Sequence, residues 1–392
     1  MSIPESFYRE AIDLNRYTNR VAREIVTNYN NVILDLTNKL ATIDEVTAPA
    51  TVARIRSMLL QMKESLEGWS VEGTAYLTDQ MQSLALFQND FVVNELQKAL
   101  PIGAANVNSV QISGDFARSI VYTDPTEINI LTLPSDLESQ VKRTFNLTAA
   151  KGSAITLPNG QVVEKAFRGI AAEQAEFISR EIRVGITEGE SISKIARRLR
   201  GKLQFGENQV MTAKAQTLAG GTGTKLANNQ VTTIVRTSVN QVQNMASQAV
   251  YAANQDVTKK YEYVAILDGR TTALCGSLDG QHFPYGKGPE PPQHFNCRSS
   301  TVPVIDDEDL RRRFPDTRPS EIGRVPQDVS YPNWLRDNPS MQGIALGNKK
   351  PFFNYLISTK NKSPREALRA IISTDGSELS LKDLIDKYPK AI

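Results

Sequence analysis

The first hundred residues are patterned for helix. From Tyr8 to Leu40 no Gly or Pro interrupts the chain, and Leu14, Val21, Ile25, Val32 and Leu36 recur at steps of four and seven. A second run over about 50–68 sets Val52, Ile55, Leu59 and Met62 on one face. A third, over about 74–99, carries Tyr76, Leu77, Met81, Leu84, Phe87 and Leu96. Gly68 and Gly73 read as the brackets of a break, and Pro101 as a stop. This part is expected to be an elongated helical assembly module over 1–101, with Phe7, Tyr8, Tyr17 and Trp69 either anchoring a partner or completing the bundle.

The pattern then changes. Residues 102–163 read as a β-rich connector, with strands at Val107–Ile112 and Ile128–Leu133 and an Asn159-Gly160 hairpin turn between β-prone arms. Helix returns over about 164–185. Ser191 opens a short helix that sets Ile192, Ile195, Ala196 and Leu199 on one side and Lys194, Arg197, Arg198, Arg200 and Lys202 on the other. A longer helix over about 229–256 is built on Val231, Ile234, Val235, Val239, Val242, Met245 and Val250, and Tyr261–Leu267 has the composition of a strand. Asp306 to Arg313 places acids before bases, the order a short helix favours. Prolines from Pro315 to Pro339 punctuate an extended connection, and helical stretches over about 340–358 and 364–388 close the chain. The fold class expected is α+β, mostly α: the helical module, then a domain over 164–325 that holds a Cys/His-stapled loop, then a helical tail over 326–392 packed on that domain.

Composition adds limits. A formal net charge of +2 over 392 residues creates no global field for nucleic acid or a membrane surface. No run is long and apolar enough to span a membrane, the N-terminus lacks a signal-peptide pattern, and two cysteines do not make a disulfide scaffold, which points to synthesis in a reducing cytoplasm. Gly220-Gly221-Thr222-Gly223-Thr224-Lys225 is not a phosphate loop, because its Lys follows Thr and precedes Leu. It reads as a flexible turn.

The chemistry is concentrated elsewhere. Both cysteines and both histidines, Cys275, His282, His294 and Cys297, fall in one Gly/Pro-rich loop. A loop of that length and composition needs a constraint to be ordered. Two thiolates and two imidazoles could hold a structural zinc, Cys275 and Cys297 could instead form a disulfide, or both thiols could be buried and reduced. Asp268, Arg270 and Arg298 could add a charge-assisted network that fixes the loop. A zinc deaminase would need His-x-Glu and Pro-Cys-x-x-Cys, and an α/β-hydrolase Gly-x-Ser-x-Gly; none is present. His282 after Asp279-Gly280, with His294 and Asn296 downstream, is loosely like the finger of a metal-dependent His-Asn-His nuclease acting on DNA.

The run Leu267-Asp268-Gly269-Arg270-Thr271-Thr272, Cys275, Leu278-Asp279-Gly280, Phe283, Pro291-Pro292 and His294-Phe295-Asn296-Cys297-Arg298 resembles the phage Mu protein F-like, or head morphogenesis, family of tailed bacteriophages. Arg236-Thr237, the stretch Ile186 to Ser191 with Ile195-Ala196, and Tyr331-Pro332-Asn333-Trp334-Leu335 with Leu346-Gly347 resemble its flanking pieces, so that the likeness covers roughly 165–385. Many members carry two further cysteines where this chain has Thr272 and Ser299. The resemblance implies a structural minor head protein without catalysis, made in the host cytoplasm and located in the virion at the head interior or portal vertex. Its implied partners are the portal protein, the major capsid or scaffold protein and packaged DNA. The DNA contact would be weak, through Lys194, Arg197, Arg198 and Arg200, and the protein could take part in DNA ejection.

Overall fold

The computed structural model describes residues 3–42, 48–100, 107–109, 155, 157–200, 222–305, 317–374 and 376–391. The chain opens with two long helices, α1 (Ile3–Ala41) and α2 (Ala48–Ala99). At 1.5 Å per residue they run about 58 and 78 Å. The sequence pattern suggests a break at Gly68 and Gly73, but α2 passes through both without interruption. Each glycine has a local reason. Gly68 sits on the exposed face with nothing near it. At Gly73, Ile25 and Phe167 come within ordinary contact distance of where a Cβ would stand.

Three further helices complete this layer: α3 (Val163–Thr187), α4 (Ile192–Arg200) and α5 (Thr222–Ala253). The expected flexible turn at 220–225 therefore lies in part within α5, with Gly220 and Gly221 outside the described residues. Helix α3 starts directly after a tight turn in which Gly160 takes a positive φ of 77° and the Leu157 amide bonds the Gln161 carbonyl, which is the Asn-Gly turn read from the sequence. Of the other connector elements, Val107 to Ser109 are described, and Ile128–Leu133 lies outside the described residues.

The five helices share one apolar core with part of the sheet. It runs from Phe7 and Leu14 through Trp69 and Phe167 to Val235, Tyr261 and Ile305. Residues 1–101 are therefore not packed as a layer of their own: α2 lies against α3 and α5, and α1 against α4 and α5. The rings considered as partner anchors mostly turn inward. Phe7 and Trp69 are buried, Trp69 meets Tyr29 at 5.1 Å and Phe167 at 5.7 Å edge-on, and the Tyr17 hydroxyl donates to the Gln80 carbonyl. Phe87, in contrast, is exposed.

After α5 the chain forms an antiparallel sheet of order β2-β1-β3, with β1 Thr258–Val264, β2 His282–Pro284 and β3 Ser300–Ile305. A one-and-a-half-turn helix, α6 (Ala273–Leu278), sits between β1 and β2. A two-stranded hairpin follows, β4 (Thr317–Ser320) and β5 (Gly323–Pro326). The acidic-then-basic stretch 306–313 lies outside the described residues.

The tail is more broken than its periodicity suggests. It comprises α7 (Tyr331–Asp337), α8 (Pro339–Leu346), a 3₁₀ turn (Gly347–Lys349), α9 (Lys350–Ser358), α10 (Pro364–Arg369) and α11 (Leu381–Lys387). Pro332, Pro339, Pro351 and Pro364 each sit in a first turn, where a missing N–H costs nothing, so Pro332 and Pro339, read as punctuating an extended connection, serve as helix starts. Ser363 and Ser380 open α10 and α11 with capping boxes. A second core gathers Leu267, Ala273, Tyr331, Trp334, Phe352, Phe353, Leu368 and Leu384. Tyr263, Ala265, Cys275 and Cys297 form a small third core of their own.

Continuity of α2 gives a direct check. Gly68→Ala should raise stability by about 0.5–1 kcal/mol, the helix-propensity gain at an exposed interior site. Denaturant melts would show it, and a loss of stability would mean that the chain breaks at Gly68.

Candidate metal centre in the Cys/His loop

The centre is built by α6 and the return loop to β3. Thr272 caps α6, its hydroxyl accepting the Cys275 amide, which fixes Cys275 on the first turn. The second cysteine arrives by a tight turn: Asn296 adopts φ 58° and the Cys297 amide donates to the His294 carbonyl. Helix α5 holds that turn, with Thr237 accepting the Asn296 amide and Thr233 the Asn296 side-chain amide.

These supports bring three soft donors together. The Cys275 and Cys297 sulfurs are 3.7 Å apart, and His294 Nε2 is 3.2 Å from the Cys275 sulfur. Both thiols are free and buried. The sulfur separation excludes a disulfide in this structure. It matches the edge of about 3.8 Å that two 2.3 Å bonds make in a tetrahedral zinc site. His294 Nδ1 lies 2.8 Å from the Phe295 carbonyl, so the N–H that this bond requires leaves Nε2 as the lone-pair nitrogen facing the sulfurs. The Thr272 hydroxyl stands 3.1 Å from Nε2.

Hydrogen bonding also prepares a thiolate. The Cys275 thiol is pulled down to about 6, chiefly by the Cys297 S–H and further by the Ser299, Tyr263 and Thr272 hydroxyls, against the opposing effect of burial. Cys297 is pushed up, first by that same bond to Cys275 and then by burial.

The other expected ligand does not join them. His282 lies on β2 opposite Glu262 of β1, its Nε2 3.4 Å from the Glu262 carboxylate, and its side chain is 44% exposed. Strand register thus turns His282 to solvent. Among the described residues the metal-capable group consists of Cys275, His294 and Cys297.

Around the centre, two buried carboxylates order the backbone. Asp268 accepts both Arg298 guanidinium nitrogens, at 2.6 and 2.9 Å, and the Arg270 amide at 3.0 Å. Burial works against its charge, yet the Arg298 contacts, with the Arg270 amide and the Thr271 hydroxyl, hold it below the usual carboxylate range. The Arg270 side chain itself is 80% exposed and only 3.6 Å from Asp268. Asp279 accepts the Ala265 and Tyr331 amides and a bidentate Arg318. Arg318 is buried on β4, and spacing along the chain gave no sign of it. Gly280, at φ 73°, sends its amide to the Tyr263 carbonyl. The tail locks on here: Arg365 donates to the Ser277 and Asp279 carbonyls, and the Tyr331 ring lies so close to Gly276 that any Cβ there would collide with it.

Residues 176–302 match the family model described as Phage Mu protein F like protein. This Mu F-like segment runs from within α3 to the first part of β3 and holds the whole Cys/His loop, so the family read from the loop motif is the family that matches. It stops short of the Tyr331 and Leu346 pieces. No curated protein and no solved structure matches the chain. The basic face expected to meet DNA lies in the same segment on α4. There Lys194 pairs with Glu190 at 3.2 Å, and the side chains of Arg197, Arg198 and Arg200 lie outside the described residues.

The buried pair Asp279–Arg318 should carry much of the local stability. Asp279→Ala strands a buried guanidinium and two amides and should cost about 3–5 kcal/mol. Arg270→Ala, at an exposed side chain, should stay within about 0.5 kcal/mol. Urea melts of the two variants would separate these, and equal losses would remove Asp279 from that role.

Proposed function

We propose that the chain is a structural minor head protein of a tailed bacteriophage that joins the portal vertex or inner shell during assembly, with a zinc-stapled loop as its rigid centre. The observation that carries the reading is the match over 176–302 to the Mu F-like family of phage head morphogenesis proteins, a segment that includes the Cys/His loop. The donor set fits zinc: two sulfurs, one with a depressed thiol pKa, and an imidazole nitrogen whose ring is fixed from its other side. Bound there, zinc would supply cross-linking between α6 and the turn before β3.

The long α1–α2 pair is the natural assembly surface, because it presents about 78 Å of helix. Phe87, Leu60 and Val71 are exposed along α2. Contact with packaged DNA through Lys194, Arg197, Arg198 and Arg200, and a part in ejection, stay within this proposal. Such contact would be weak and salt-sensitive. The nuclease alternative needed His282 and His294 to converge, and His282 faces Glu262 instead. No helix among the described residues is long and apolar enough to cross a membrane.

Co-expression with the portal and capsid proteins of the same phage tests the reading. The chain should co-purify with portal or proheads, and the purified chain should leave plasmid DNA intact with magnesium, manganese or zinc. DNA cleavage lost on His294→Ala, with no head association, would replace the proposal with the nuclease.

A further inference from the structure

The three donors leave a tetrahedral set one short, and the nearby polar side chains among the described residues are engaged elsewhere, the Tyr263 and Ser299 hydroxyls by the Cys275 sulfur itself. His282 is turned to Glu262. Asp268 is engaged by Arg298, and Asp279 by Arg318 and two amides. Thr272 already accepts the Cys275 amide. Beside Cys275 and His294 lies a cavity of about 20 Å³, lined also by Arg270, Thr272, Arg298 and Ser299. That is room for about one water-sized group.

We infer that the centre is an open one: its fourth position takes a small monodentate anionic donor from outside the chain, entering beside Arg270. This rests on the zinc reading above and adds to it. The charge argument selects an anion. Two thiolates balance a divalent cation and the imidazole is neutral, so the loaded centre has no net charge. Arg298 is matched by Asp268. The Arg270 guanidinium, 80% exposed and 3.6 Å from that same carboxylate, is left to favour a negative ligand at the mouth. A closed staple would need a fourth protein donor, as the two-thiolate, one-imidazole catalytic sites that keep an exchangeable position show by contrast.

The test uses the full chain loaded with cobalt(II) in place of zinc and azide as the probe. A sulfur-to-cobalt charge-transfer band should appear, and azide should shift the visible ligand-field bands saturably. Arg270→Ala should take up cobalt normally yet need about fivefold more azide, the scale of losing one exposed ionic contact. Thr272→Cys sets a sulfur beside His294 Nε2, and it should strengthen the sulfur-to-cobalt charge-transfer band while abolishing the azide response. A charge-transfer band indifferent to azide in the unaltered chain would overturn the open position and leave the metal reading standing. Absence of that band would overturn both, so the two failures are distinguishable.

Discussion

Helix α5 is buried on nearly every side, and much of what it buries is polar. Thr237, Asn240, Gln241, Asn244, Ser247 and Gln248 are all withdrawn from solvent. A buried amide or hydroxyl costs several kcal/mol unless it finds a partner. Several of these groups find partners in the strand and loop laid across the helix, whereas Gln241 Oε1 and the Asn240 and Asn244 Oδ1 atoms have none among the described residues. Asn240 and Asn244 donate to the Ser299 carbonyl, Gln248 to the Thr301 hydroxyl and Tyr251 to the Thr301 carbonyl. Thr233 and Thr237 receive Asn296. The rest of the molecule depends on this ladder. It fixes β3 and the turn at 294–297, and through them the position of His294 and Cys297. The apolar face of the same helix, with Val231, Val235 and Val239, closes the core shared with α1, α2 and α3.

Two large cores therefore meet at a small one. The helical core ends at Tyr261 and Ile305, the tail core begins at Leu267, and the Tyr263–Ala265–Cys275–Cys297 cluster lies between them. Apolar area there is too slight to join the halves alone, which explains the density of directed bonds: the bidentate pairs at Asp268 and Asp279, the Arg365 contacts and the sulfur–imidazole group. A cross-link at this point would restrain β1, α6 and β3 together.

Much of this was legible in the chain. The apolar residues of α1, α3 and α5 were readable because 3.6-residue periodicity reports burial directly. The loop was readable because rare residue types clustered in it, and Asp268 and Arg298 because their types pair. What failed to show has physical reasons. Gly68 and Gly73 weaken a helix locally, but packing of a 52-residue helix overrides that preference. Prolines mark helix starts as well as ends, which hid α7 inside the stretch read as an extended connection. His282 resembled a ligand in sequence spacing, and only the pairing Glu262↔His282 turns it outward. Arg318 is 39 residues from its partner Asp279, beyond any local pattern.

The central claim is that a metal held by Cys275, His294 and Cys297 staples the junction between the two cores. Thermal unfolding of the full-length chain, before and after removal of zinc by a chelator, tests it most directly. Because a ligand that binds only the folded state stabilises it, the account predicts a lower melting temperature after chelation, restored by zinc and not by magnesium, with His294→Ala melting like the chelated protein and His282→Ala like the untreated one. A melting temperature unchanged by chelation, with no zinc recovered from the protein, would contradict it.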